Sequence, residues 1–173
     1  DYIVTRLKKA AIGWSWKMFI SISIRTIHFI CLHDCCADRI LIEKGKISFD
    51  FADGFWITPD HKCSNFQEVV KTDSAKVEFF LEESFEEIIV YIFRKGVFWK
   101  TIRETWTIQK LVDFVNNKAN QLEFLYHFKQ DHESLFQCEL HFDKRPFRYE
   151  CQIEIPVVKI VYKWDNLCPD RTW

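Results

Sequence analysis

The 173-residue sequence is short of the two residues that most often break a fold into pieces, holding only 4 glycines and 4 prolines. So small a supply excludes flexible linkers, low-complexity tracts and a glycine-rich phosphate loop. Charge of either sign is not in excess, with 24 basic against 25 acidic residues, so no overall field would hold nucleic acid or an anionic membrane. A long apolar run is also missing. The least polar stretch, Met18 to Leu32, is broken by Arg25 and His28 and preceded by Lys17, whereas a spanning helix needs about 20 nearly unbroken apolar residues. Lys8 and Lys9 stand ahead of an apolar run as in a secretory leader. Lys17 interrupts that run and no small-residue cleavage site follows, so the segment is expected to belong to the fold. Signatures of common catalytic centres are lacking too: there is no Gly-x-Ser-x-Gly, no His-Glu-x-x-His, no P-loop and no dinucleotide fingerprint. The expectation is a protein that is not an enzyme and carries no cofactor or metal.

What the chain has in quantity is aromatic rings, 17% of its residues, led by 17 Phe and 7 Trp. Together with 48% hydrophobic and 28% charged residues, this is too apolar for disorder and suits one ring-filled core, a single domain over 1–173. Seven cysteines make an odd count, with Cys35 and Cys36 adjacent and Cys31, Cys138 and Cys151 inside apolar strand patterns. They read as small buried hydrophobes in a reducing, cytoplasmic setting rather than as a disulfide framework.

Period two dominates, as expected of strands whose side chains alternate between faces. Phe19 to Arg25 alternates isoleucines with serines, and Ile27 to Leu32 continues it. Arg39 to Ile42 and Lys46 to Phe51 flank Lys44-Gly45, a hairpin turn, and Asp53-Gly54 turns into Phe55-Trp56-Ile57. From Pro59 to Ser74 the pattern lapses into a long polar loop. It resumes over Lys76 to Leu81 and Glu87 to Phe93, then Val97 to Trp106 after Lys95-Gly96. Four further strands are expected at Leu122 to Phe128, Leu135 to Phe142, Phe147 to Ile155 and Val157 to Trp164. One amphipathic helix interrupts them at about 107–117: Thr107 can cap it, and Ile108, Leu111, Val112 and Val115 share a face. The alanines and lysines of Tyr2 to Ala11 allow a second helix at the N-terminus. The class is α+β, β-dominant, with antiparallel meander sheets, either open or curled into a half-barrel.

Three groups of residues invite a functional reading. His33-Asp34-Cys35 and His61-Lys62-Cys63 repeat a His-x-Cys spacing, a soft donor set for zinc, although one intervening residue is fewer than metal sites use. His127 and His141 alternate with apolar neighbours, which places both on the wet faces of their strands. The acidic run Glu82, Glu83, Glu86 and Glu87 surrounds Phe85, an aromatic ring in a charged turn. That combination makes a partner-binding patch, since carboxylates steer a basic partner and aromatic rings anchor interfaces. The tail Asp165 to Trp173 ends in a Trp that either anchors a partner or packs on the domain.

The segments His33-Asp34-Cys35-Cys36-Ala37-Asp38-Arg39-Ile40 and Ile47-Ser48-Phe49-Asp50-Phe51-Ala52-Asp53-Gly54-Phe55-Trp56-Ile57 resemble the immunity proteins of bacterial toxin systems, of the contact-dependent growth inhibition type. The resemblance implies a cytoplasmic protein that binds and neutralises a cognate toxin domain, covering its active site or substrate cleft. Against a nuclease toxin, the acidic run would meet a basic cleft. Two alternatives stay open: a curled sheet enclosing a small apolar ligand, and, third, a Cys/His metal-dependent enzyme using His33 and Cys35.

Overall fold

The computed structural model of the chain describes residues 2–11, 14–23, 29–82, 84–96, 100–117, 120–130, 133–142 and 148–173. Its axis is β14 (Arg148–Trp164), a strand of 17 residues spanning what the periodicity divides into two. Its first half pairs with β13 (Glu133–His141) and β10 (Ile89–Lys95). Its second half pairs with β9 (Ala75–Leu81) and β2 (Trp14–Ser23). Cys151, Ile153, Ile155 and Val157 point into the core, then Ile160, Tyr162 and Trp164 do. A register shift between Val157 and Lys159 makes that change of parity possible, because one extra residue turns every later side chain to the other face.

All pairings among the described residues are antiparallel, as the alternation implies. From β14 the sheet runs one way through β13 and β12 (Gln121–Gln130) to β4 (Cys35–Ala37), and the other way through β9 and β6 (Lys46–Phe51) to β5 (Arg39–Glu43). The end strands β4 and β5 are separated in sequence by Asp38 alone. Laid flat, six steps of about 4.8 Å would hold them roughly 29 Å apart, so the sheet must curl. No ladder joins β4 to β5, and the half-barrel stays open. The hairpin β5–β6 turns at Lys44-Gly45, with Gly45 at φ 73°.

The curl brings distant strands face to face through rings. Phe49 of β6, Phe79 of β9, Phe136 of β13 and Phe124 of β12 form a closed cycle of edge-on contacts, with centroids 5.2 to 5.5 Å apart. This is the geometry that aromatic quadrupoles favour. The helix α1 (Ile108–Val115) follows β11 (Thr101–Trp106), which pairs with β10. Thr107 caps the helix by accepting from the backbone N–H of Lys110, and Ile108, Leu111, Val112 and Val115 are its buried face. At its other end Asn116 donates to the Ile40 carbonyl and accepts from the Ile40 N–H, at 2.9 and 2.8 Å. That satisfies backbone on the free edge of β5, which an unpaired strand would leave exposed.

A second sheet, β15-β8-β7-β3, is built from β3 (Ile30–Cys31), β7 (Trp56–Ile57), β8 (Val70–Thr72) and β15 (Leu167–Thr172). The polar stretch 59–74 therefore contains a strand, and the C-terminal tail is a strand packed on it. The N-terminal expectation is corrected: β1 (Tyr2–Ala11) is a strand antiparallel to β2, not a helix. Alanine and lysine propensities are weak beside the ladder that an adjoining strand supplies.

Candidate functional site

The site begins with one irregularity in β12. Leu122 and Phe124 are buried there, so even positions face the core. Between Phe124 and Tyr126 the register against β13 slips by one residue, and the parity inverts. Tyr126 and Phe128 turn out to solvent, 54% and 55% exposed, while His127 turns inward and stacks on Phe136 at 4.1 Å. The wet-face reading therefore fails for His127, because alternation carries no sign of a bulge. It holds for His141, which meets Glu123 on the outer face.

The bulge also ends the pairing on the far side of β12. β4 pairs with Leu122, Glu123 and Phe124 only, after which Asp34 donates its N–H to the Phe124 carbonyl at 2.8 Å. His33 donates from Nδ1 to the next carbonyl, that of Leu125. Asp34 is the only non-glycine residue at positive φ (56°) among the described residues. This conformation, tolerated by aspartate, lets the chain reverse and present both groups. Beyond Leu125 no described strand covers that edge of β12.

Trp173 completes the rim. Its N–H donates to the Val69 carbonyl at 3.2 Å, and its ring lies nearly parallel to His33, tilting on Trp56 at 5.4 Å on another side. Arg171 and Lys71 both pair with Asp53, tying β15 to the turn before β7. Trp173 is nonetheless 64% exposed, and with Tyr126 and Phe128 it is among the three most open large apolar side chains described. Tyr126 also contacts His33, at 5.4 Å, and Phe128, at 6.4 Å. Behind the rim lies a cavity of about 640 Å³ whose walls include Ile30, Leu32, Val69, Phe124 and Phe136.

Burial holds two polar groups of the cavity, His127 and Cys31, uncharged. Burial pushes His127 down to about 4, with Lys129 adding to the effect, and raises the Cys31 thiol. Burial also pushes Cys35 up to about 12, which keeps it a protonated thiol and a poor nucleophile. The two His-x-Cys pairs do not converge. Among the described residues a different trio, Glu123, Glu139 and His141, is the only group of three metal-type donors within 4.8 Å of one another. His61 is buried against Trp164, accepting from the Cys63 N–H at Nδ1.

The acidic run sits elsewhere. β9 ends opposite Val157 and β10 starts opposite Glu154, so the run falls in the connection between two strands that pair with successive parts of β14. Glu82, Glu86 and Glu87 are exposed there, Glu83 lies outside the described residues, and Phe85 opens a short 3-10 turn. Its ring is half-buried and packs against the core. The Tyr126, Phe128 and Trp173 surface was not singled out by sequence reading, except for Trp173, since only the bulge turns the first two outward. Comparison with family models, with curated proteins and with solved structures finds no match for the chain.

Proposed function

We propose that the chain is a protein-binding domain whose contact surface is the aromatic rim of Tyr126, Phe128 and Trp173, and that its biological form is an immunity protein seated on a toxin domain. One observation carries the reading: Tyr126 and Trp173, each more than half exposed, line an apolar cavity beside an edge of β12 that no described strand covers, and the equally exposed Phe128 extends the aromatic surface from Tyr126. Rings exposed in this way, next to a pocket that accepts an apolar side chain, are the makings of an interface hot spot. That edge, beyond the last described pairing with β4, offers main-chain donors and acceptors to an extended segment of the partner. Glu82, Glu86 and Glu87 supply a separate negative patch that steers a basic toxin toward the domain. A stable complex needs about 1,200 to 2,000 Å² of buried surface, more than the rim alone offers, so the toxin must contact flanking strands as well.

The test is titration of the chain with a toxin domain encoded immediately upstream of it. One-to-one binding that weakens at least about 30-fold in Tyr126→Ala/Trp173→Ala, on the scale of a hot spot, supports the reading. No toxin domain at that locus, or binding indifferent to the double variant, overturns it. The cavity favours one second reading, a small apolar ligand, because about 640 Å³ falls in the usual range for small-molecule sites. Native mass spectrometry of the chain purified from its host separates the two, as a bound protein and a bound small molecule differ in mass.

A further inference from the structure

The outer face of the sheet, on the solvent side of β12 and β13, carries a second arrangement that the binding surface does not use. Glu123 and Glu139 are direct cross-strand partners. The ladder continues to Glu150 on one side and Cys36 on the other. Like charges set opposite one another in a sheet repel, and here they are not fully screened: the Glu123 and Glu139 side chains are 18% and 24% exposed. Among the described residues two cationic or titratable side chains reach the pair. Arg148 reaches Glu139 at 3.1 Å from a side chain that is itself 64% exposed. His141, two residues along β13 from Glu139, directs Nε2 between the carboxylates, 2.7 Å from Glu123 Oε2 and 3.7 Å from Glu139 Oε2.

The geometry points to a divalent transition-metal site, best suited to Zn²⁺, held by Glu123, Glu139 and His141. Zinc bound tetrahedrally at about 2.0 to 2.2 Å sets its donor atoms roughly 3.3 Å apart. The donor spacings of 2.7 and 3.7 Å to His141 bracket that value, and all three donors lie within 4.8 Å of one another. One imidazole with two carboxylates selects zinc over calcium or magnesium, which prefer all-oxygen shells. The strands rather than a loop hold the three donors together, and the ion would take the place of the hydrogen bond between His141 Nε2 and Glu123 Oε2. Three protein donors leave a fourth position for water or for a ligand from another molecule. The ion would also relieve the repulsion between the two glutamates, making it a stabiliser of this edge of the sheet.

The experiment is Zn²⁺ uptake by the full chain, read as metal per chain after dialysis against micromolar Zn²⁺, with Co²⁺ replacing Zn²⁺ to report donor type. One equivalent, weakened at least about tenfold in Glu123→Gln, Glu139→Gln and His141→Gln but unchanged in Cys36→Ser, is the expected result. No uptake by the unaltered chain, or full affinity in those three variants, overturns the site. Should a variant fail to fold, the Co²⁺ spectrum of the unaltered chain decides. Oxygen and nitrogen ligand-field bands support the assignment, and a thiolate charge-transfer band refutes it.

Discussion

His33 and Trp173, 140 positions apart in the chain, stack with ring planes 10° from parallel and centroids 5.7 Å apart. His33 is held by its bond to the Leu125 carbonyl, and Trp173 by its own N–H on Val69, so the stack joins the bulge of β12 to the second sheet across the cavity mouth. Trp173→Ala opens that mouth while removing a mostly exposed side chain. Unfolding free energy should change by less than about 1 kcal/mol. Alkylation of Cys31, a cavity-lining thiol, should quicken about threefold or more through easier access, as peptide mapping after brief exposure to a thiol reagent will show.

Neighbouring positions of β12 should answer oppositely to truncation. Phe124 is fully buried and touches Phe49, Phe51 and Phe136; Phe124→Ala leaves a cavity at the centre of the ring cycle and should cost about 3 to 5 kcal/mol. Tyr126→Ala removes a ring that is half in solvent and should cost under about 1 kcal/mol. Urea unfolding of both variants checks the contrast. Equal losses would place Tyr126 in the core and contradict the bulge.

Two glycines at nearly equal positive φ should differ in the same way. At Gly54 an added Cβ would fall 2.1 Å from the Asp73 carbonyl oxygen, whereas at Gly45 nothing lies within 4 Å. Gly45→Ala bears only the left-handed backbone cost, about 1 to 2 kcal/mol. Gly54→Ala must also push apart the turn before β7 and the backbone after β8, and should lose at least about 3 kcal/mol. Thermal unfolding of the two proteins measures the difference.

Acid should weaken the fold before its carboxylates titrate. Burial pushes His61 down from 6.5 to about 4, so below pH 6.5 the unfolded chain takes up a proton that the folded chain refuses. Stability is therefore complete above pH 6.5 and falls as the pH drops toward 4, by up to about 3 kcal/mol for this residue. His127 acts in the same direction. Glu78 enters only at lower pH: burial alone would raise it, but Lys163 and Lys46, at 2.8 and 3.0 Å, hold it below its ordinary 4.5. In His61→Leu the slope of unfolding free energy between pH 6.5 and 4 should flatten by about half, leaving the His127 contribution. An unchanged slope would mean that His61 is not buried in the folded protein.

Sequence alone determined the antiparallel, β-dominant class, the hairpin at Gly45 and the capped helix at Ile108–Val115, because each depends on the local alternation or periodicity of side chains. Tertiary structure decided the rest. The strand at Tyr2–Ala11 depends on its partner β2, and the open curl depends on how β4 and β5 end up beside one another. The bulges at Leu125 and Val158 are settled by pairing with neighbouring strands, and nothing in the alternation of β12 announces that Tyr126 and Phe128 face out while His127 faces in. An inserted residue leaves composition and propensity untouched and reverses every face after it, so the surface on which the proposed function rests exists only once the strands are paired.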